Sequence, residues 1–142
     1  MTINILIPVY NEERRVEKGV RTADEYMEKI YPGRYRITVV DNASTDKTPE
    51  IMRSLEKQFK NVFYLRIPEK GVGAAFRAGV KENPSDIIGY MDVDLSTDLK
   101  HLAETIKIFE LEPDVKIVNG SRLSRNSQTT GRKKVGISLL MD

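Results

Sequence analysis

Ile87-Ile88-Gly89-Tyr90-Met91-Asp92-Val93-Asp94 sets a short apolar run directly against two carboxylates. A run of that length reads as a buried strand, predicted over residues 87–91, with the aspartates at its carboxyl end. Working outward, the same unit recurs. Apolar, β-branched runs predict further strands at 3–7, 35–40, 62–67 and 115–118. Amphipathic stretches between them predict helices at 12–30, 48–59, 71–81 and 99–109. The first shows the pattern well: Val16, Val20, Ala23, Met27 and Ile30 fall at spacings of three and four, and Pro32-Gly33 stops it. Strands alternating with helices imply right-handed crossovers and an α/β fold with a mainly parallel sheet. Such sheets bind ligands beyond the carboxyl ends of their strands, so the polar segments after strands one, two and four should carry the chemistry.

The chain has 142 residues, enough for one domain with a real core, and residues 1–142 read as a single domain. Its 23 basic and 21 acidic side chains leave a net charge of +2, too weak to argue for nucleic acid, and no basic stripe interleaved with aromatics accompanies them. There are no cysteines, which excludes disulfides and zinc-thiolate sites and makes a reducing cytoplasmic setting natural. No run approaches the roughly 18 apolar residues of a spanning helix. The N-terminus lacks the positive region of a secretory signal. Residues 121–134 are polar and basic, with Arg122, Arg125, Arg132, Lys133 and Lys134; an apolar stretch then begins at Val135 and stops at Asp142. That end reads either as a chain cut short or as one that completes its core in another way.

Five segments are candidates for chemistry. In an extended backbone the carboxylates of Asp92 and Asp94 point the same way, so both can converge on a hard cation such as Mg2+ or Mn2+; the bland alternative is an exposed turn capping the next helix. Asp41, at the end of strand two, can accept hydrogen bonds from a base or ribose or serve the fold, while Asp46 reads as the N-cap of the following helix. Pro8-Val9-Tyr10-Asn11-Glu12 follows strand one; there Tyr10 can lie against a base and Glu12 suits the start of a helix, though an ordinary turn explains both. Lys70-Gly71-Val72-Gly73-Ala74-Ala75 opens a helix bearing Arg77, and amides at such a start bind phosphate. It matches neither a Walker A loop nor a dinucleotide fingerprint. Gly120-Ser121-Arg122 closes strand five, where Arg122 can neutralise a phosphate or simply face water. His101, the single histidine, lacks an evident partner and reads as solvent-facing.

In this order the five segments resemble the family-2 glycosyltransferases of the GT-A fold, a Rossmann-like, mainly parallel sheet flanked by helices. The matching pieces are Ile7 to Glu12, Val40 to Asp46, Lys70 to Gly79, Met91 to Ser96 and Gly120 to Arg122. Within the family the chain looks most like the dolichyl-phosphate glucose and mannose synthases. The resemblance implies transfer of glucose or mannose, with inversion, from UDP-glucose or GDP-mannose to a polyprenyl phosphate. It implies Mg2+ or Mn2+ as cofactor, no nucleic acid, and a cytoplasmic setting with peripheral contact to the membrane face. Residue by residue it puts Pro8, Tyr10, Glu12, Asp41 and Asn42 at the nucleotide, with Gly73 and Arg77 near the donor. It puts the catalytic pair Asp92 and Asp94, with Val93 between them, at the pyrophosphate and metal, and Ser96 where relatives supply a further ligand. Residues 123–142 would begin the acceptor region, with Arg122 and Arg132 as candidates for the acceptor phosphate.

The chain departs from the family pattern at Asn42, where an Asp is common, at Ala43, where Gly is common, and in its early end. A nucleotide-sugar-binding module without turnover and a family-2 transferase with a saccharide acceptor are the alternatives. A dinucleotide-dependent dehydrogenase is a poor reading, because the glycine signature is absent after strand one.

Overall fold

The computed structural model describes residues 2–82, 85–94 and 99–111, together with the backbone of 117–119 and 138–141. Four strands, β1 (Ile3–Val9), β2 (Tyr35–Asp41), β3 (Val62–Arg66) and β4 (Ile87–Tyr90), form a parallel array in the order β3-β2-β1-β4. Helices α1 (Val16–Ile30), α2 (Thr48–Gln58) and α3 (Val72–Glu82) connect them, and α4 (Leu99–Leu111) follows. The predicted elements are all present, with ends that differ by a few residues. The largest difference is the start of α1, where residues 13–15 form turns before the regular helix begins at Val16.

Two short strands complete the sheet. β5 (Ile117–Asn119) replaces the strand expected at 115–118; residues 115 and 116 lie outside the described set. β6 (Ser138–Met141) lies between β4 and β5 and is antiparallel to both. Residues 138–141 of the apolar stretch that had no partner in the sequence thus form a strand of the main sheet.

Strand alternation sorts side chains onto two faces. Ile3, Ile5, Ile7 and Val9 of β1, with Ile37 and Val39 of β2, join Val16, Val20, Ala23 and Met27 of α1, Met52 and Leu55 of α2, and Leu102, Ile106 and Phe109 of α4 in one core. On the opposite face Val40 and Ile67 pack with Ala75 of α3. That helix lies close to the sheet because Gly79 has no side chain: a Cβ there would come within 2.7 Å of a Leu6 methyl.

Pro8 marks where the sheet opens. The β1–β4 register ends at Leu6 and Tyr90, and the last bond between them is from the Met91 amide to the Leu6 carbonyl. The backbone nitrogen of Pro8 lies on that same side, past the end of the pairing, so its lack of an N–H removes no ladder bond. Strand order reverses between β1 and β4, the switch point where open α/β sheets form a ligand crevice.

Candidate active site

The strand ends meet at a cavity of about 350 Å3. β1 and the residue after it supply Pro8, Val9 and Tyr10; the end of β2 supplies Asn42; the loop after β3 supplies Lys70, Gly71 and Val72; and Asp92 follows β4. The Tyr10 side chain is 46% exposed, and the Lys70 ammonium sits 5.6 Å from the centre of its ring. An aromatic ring, a cation and a carboxylate on one cavity are groups that suit a base, a phosphate and a metal ion.

The first two loops are fastened to each other. Asn11 adopts φ 50°, a conformation that asparagine tolerates better than most residues. Its Oδ1 accepts from the Thr45 amide at 2.8 Å and the Asp46 amide at 3.3 Å, while its own amide donates to Ser44 Oγ. The Glu12 amide donates to Thr48 Oγ1, and the Glu13 amide donates to Asp46 Oδ2. Asp46 lies one residue before the N-cap position, which is Lys47; it still accepts from the Thr48 amide at 2.9 Å. Slight desolvation acts against its ionisation, but the hydrogen bonds from Thr48 and the Glu13 amide outweigh it and hold the carboxyl below the ordinary carboxylate range.

Asp41 and Asn42 part ways. Asp41 is wholly buried, and its carboxylate accepts from the Ser44 amide and hydroxyl, the Tyr64 hydroxyl and Arg66 Nη1. A buried carboxylate needs such saturation, and here the protein supplies it. Burial first, then the bond to Asp41, pushes the Tyr64 phenol up to about 12. The structure therefore has Asp41 organising the strand end, while its neighbour Asn42 lines the cavity. Asn42 Nδ2 donates to the Glu69 carbonyl at 3.0 Å and the Gly71 carbonyl at 3.2 Å.

The Asp92-Val93-Asp94 segment is not extended. Strand pairing stops at Tyr90, and Val93 and Asp94 lie in a turn, so the argument from alternating side chains does not apply. Asp92 lies on the cavity wall, Asp94 is exposed, and Val93 is buried against α1. The turn is held there by Gly19: a Cβ at that position would collide with the Val93 carbonyl oxygen and come within 3.0 Å of its Cγ2. Beneath Asp92, burial and then the nearby Asp92 charge push the Tyr90 phenol up to about 12. No cluster of three His, Cys, Asp or Glu side chains forms among the described residues. Asp92 on the cavity wall and Asp94 two residues further on nevertheless suit a hard cation that completes its shell with ligand phosphates and water, as Mg2+ and Mn2+ do.

Other expected residues fall outside the cavity wall. Glu12 pairs with Arg15 at 2.8 Å and borders a second, smaller pocket. Gly73 and Arg77 are exposed on the first turns of α3, with Arg77 Nη1 near the place a Gly73 side chain would occupy. His101 is exposed. Ser96, Gly120, Arg122 and Arg132 lie outside the described residues. Sequence reasoning gave Val9, Lys70 and Val72 no role of their own; the signal for Lys70 was its place in the glycine-rich segment after β3.

The model of the family described as Glycosyl transferase family 2 matches residues 4–139. The chain belongs to this family. A dolichyl-phosphate beta-glucosyltransferase of Trichomonas vaginalis is 30% identical over 147 residues, covering 96% of this chain and 46% of the relative. A dolichol-phosphate mannosyltransferase of Pyrococcus furiosus is 30% identical over 122 residues, covering 86% and 33%. This family-2 chain thus spans less than half the length of either relative. Among solved structures, a mannosyltransferase of Pyrobaculum calidifontis in complex with GDP-Man and Mn2+ superposes with a TM-score of 0.75 at 21% identity, over 98% of this chain and 44% of that one. Glucosyl-3-phosphoglycerate synthase of Mycobacterium tuberculosis, solved with Mn2+ and UDP, gives 0.63 at 17% over 82% and 42%. The fold is that of the GT-A glycosyltransferases.

Proposed function

We propose that this family-2 glycosyltransferase moves a hexose, glucose or mannose, from UDP-glucose or GDP-mannose to a polyprenyl phosphate with inversion, at the cytoplasmic face of a membrane. The observation that carries the reading is the cavity at the switch point, bordered by Tyr10 and Asn42 on one side and Asp92 on the other. Tyr10 offers its exposed ring to the base, and Lys70 brings a positive charge to the same space. Asp92 and Asp94 are the residues that would hold a divalent cation. When bound, Mg2+ or Mn2+ supplies charge that stabilises the departing nucleoside diphosphate. A phosphate acceptor is already ionised near neutral pH, so its oxygen can attack the anomeric carbon without a general base. The dolichyl-phosphate relatives support the acceptor class, and the membrane setting is proposed along with that acceptor. No described helix is long and apolar enough to cross a membrane.

The test is donor turnover by the full-length protein with Mn2+ and a polyprenyl phosphate. Loss of metal-held charge is worth several kcal/mol, so Asp94→Ala should slow transfer by about 100-fold or more. Unchanged turnover with metal present would sink the role of Asp94. Calorimetry with UDP-glucose and GDP-mannose, run alongside, separates transfer from binding alone. Binding without transfer to any acceptor would favour a nucleotide-sugar-binding module, and transfer to a saccharide would move the acceptor assignment.

A further inference from the structure

We infer that the outer side of α3 is the surface on which the chain lies against a membrane containing anionic lipid, so that the mouth of the cavity opens at the bilayer. This rests on the lipid-acceptor reading above and names the face that brings the two together.

Small residues pack α3 onto the sheet. Ala75 and Gly79 are buried, and Ala74 and Ala78 lean on the cluster of Val40, Leu65 and Ile67. The larger apolar side chains are left on the outside. Val72, Phe76 and Val80 recur every fourth residue and form one row along the helix. Val72 is 58% exposed, Phe76 and Val80 are half-buried, and the Phe76 ring tilts toward Tyr90 of β4 with 6.3 Å between centroids. Arg77 and Lys81, both exposed, form a parallel row one residue further on, nearly opposite Ala75 and Gly79. Lys70 adds a third exposed cation just before the helix, and Glu82 is the only acidic residue from 70 to 82.

An apolar row beside a basic one suits a surface that meets lipid. The apolar side chains enter the acyl boundary, and the long cations reach the headgroups. The charge calls for anionic lipid, because each Lys or Arg held near such a surface strengthens binding by roughly 5-fold. A second copy of the chain is a poorer occupant. The cations of two such faces would repel, and three side chains fall far short of the roughly 800 Å2 per partner that a stable dimer buries. Val72 also lines the cavity, so lipid that meets this row stands at the cavity mouth.

The experiment is co-sedimentation of the chain with vesicles of phosphatidylcholine alone, and of phosphatidylcholine and phosphatidylserine in equal parts. The chain should bind the anionic vesicles. Arg77→Gln combined with Lys81→Gln should weaken that binding by roughly 25-fold, the product of two such charges. Both positions are exposed and glutamine is a good helix former, so the fold should hold. Val72→Ser should weaken binding by up to roughly 10-fold through lost apolar contact. Lys18→Gln combined with Lys57→Gln removes the same charge from exposed positions on α1 and α2, across the sheet from α3, and should change little. No binding to the anionic vesicles, or an equal loss in the two charge pairs, would overturn the inference. So would a dimer that Val72→Ser dissolves, which would give the row to a second copy. Vesicle binding without transfer to a polyprenyl phosphate would overturn the acceptor reading and leave the surface standing; transfer without vesicle binding would do the reverse.

Discussion

Asp41 and Asn42 are adjacent and both buried, yet Asp41 closes β2 among protein donors while Asn42, in the bend after it, lines the cavity. Tyr35, Ile37 and Val39 set the face that α1 and α2 cover, and Asp41 is next in that series. Period-two counting alone therefore puts Asp41 inward and turns Asn42 to the other side. Placing Asp41 at the nucleotide followed from its position at a strand end without that count. The next residue carries its own signal. Ala43 has φ 61°, a left-handed conformation that costs an L-residue with a Cβ about 1–2 kcal/mol, whereas glycine adopts it freely. That is the physical reason glycine is the natural residue there. Glycine adds chain entropy to the unfolded state, about 0.5–1 kcal/mol, so Ala43→Gly should stabilise the chain by a net amount of up to about 1.5 kcal/mol. Urea unfolding of the two forms measures it; a lower midpoint for the glycine form would show that the loop does not strain Ala43.

At the scale of elements, what the sequence revealed was whatever depends on local pattern. Helical spacing located α1 to α4, and apolar runs located β1 to β4. Contacts between distant segments had no such signal. β6 pairs with β4 and β5 across long separations, and nothing local to residues 138–141 announces an antiparallel insertion. Gly19 is the clearest case. Inside an amphipathic helix it looks like a mild defect, yet its missing side chain admits the Val93 backbone and so seats the turn between Asp92 and Asp94. Gly19→Ala would improve helix propensity by about 1 kcal/mol in isolation. Against that, the added methyl meets a backbone carbonyl that cannot swing aside, and such overpacking costs about 1–3 kcal/mol. The second effect should win, giving a lower urea midpoint and weaker binding of UDP in the presence of Mn2+. An alanine form of equal stability and affinity would mean that α1 does not position the turn between Asp92 and Asp94.

Across the whole molecule, tyrosine hydroxyls tie neighbouring elements to one another through acidic partners. Tyr35 reaches the Asp24 carboxylate at 2.6 Å, Tyr31 reaches Glu110 at 3.2 Å, and Tyr64 reaches Asp41. In each case burial is the largest cause, followed by the bond to the acidic partner, and the phenol is raised above its ordinary value of 10.0; for Tyr64 it is raised to about 12. A phenol is neutral when protonated, so the folded state holds these protons more tightly than the unfolded chain does. Between pH 10 and the higher folded values, the native state binds more protons, and stability must fall as pH rises. The contribution is fully present below pH 10 and is lost as pH climbs through about 12, the Tyr64 value. Urea midpoints should therefore hold steady from neutrality toward pH 9 as far as these groups are concerned, then drop from about pH 10 upward. Tyr64→Phe removes one of the raised phenols and leaves Asp41 one donor short, so it should be less stable at pH 8 and show a shallower alkaline decline. An alkaline decline of unchanged slope in Tyr64→Phe would mean that the bond to Asp41 does not hold the Tyr64 proton.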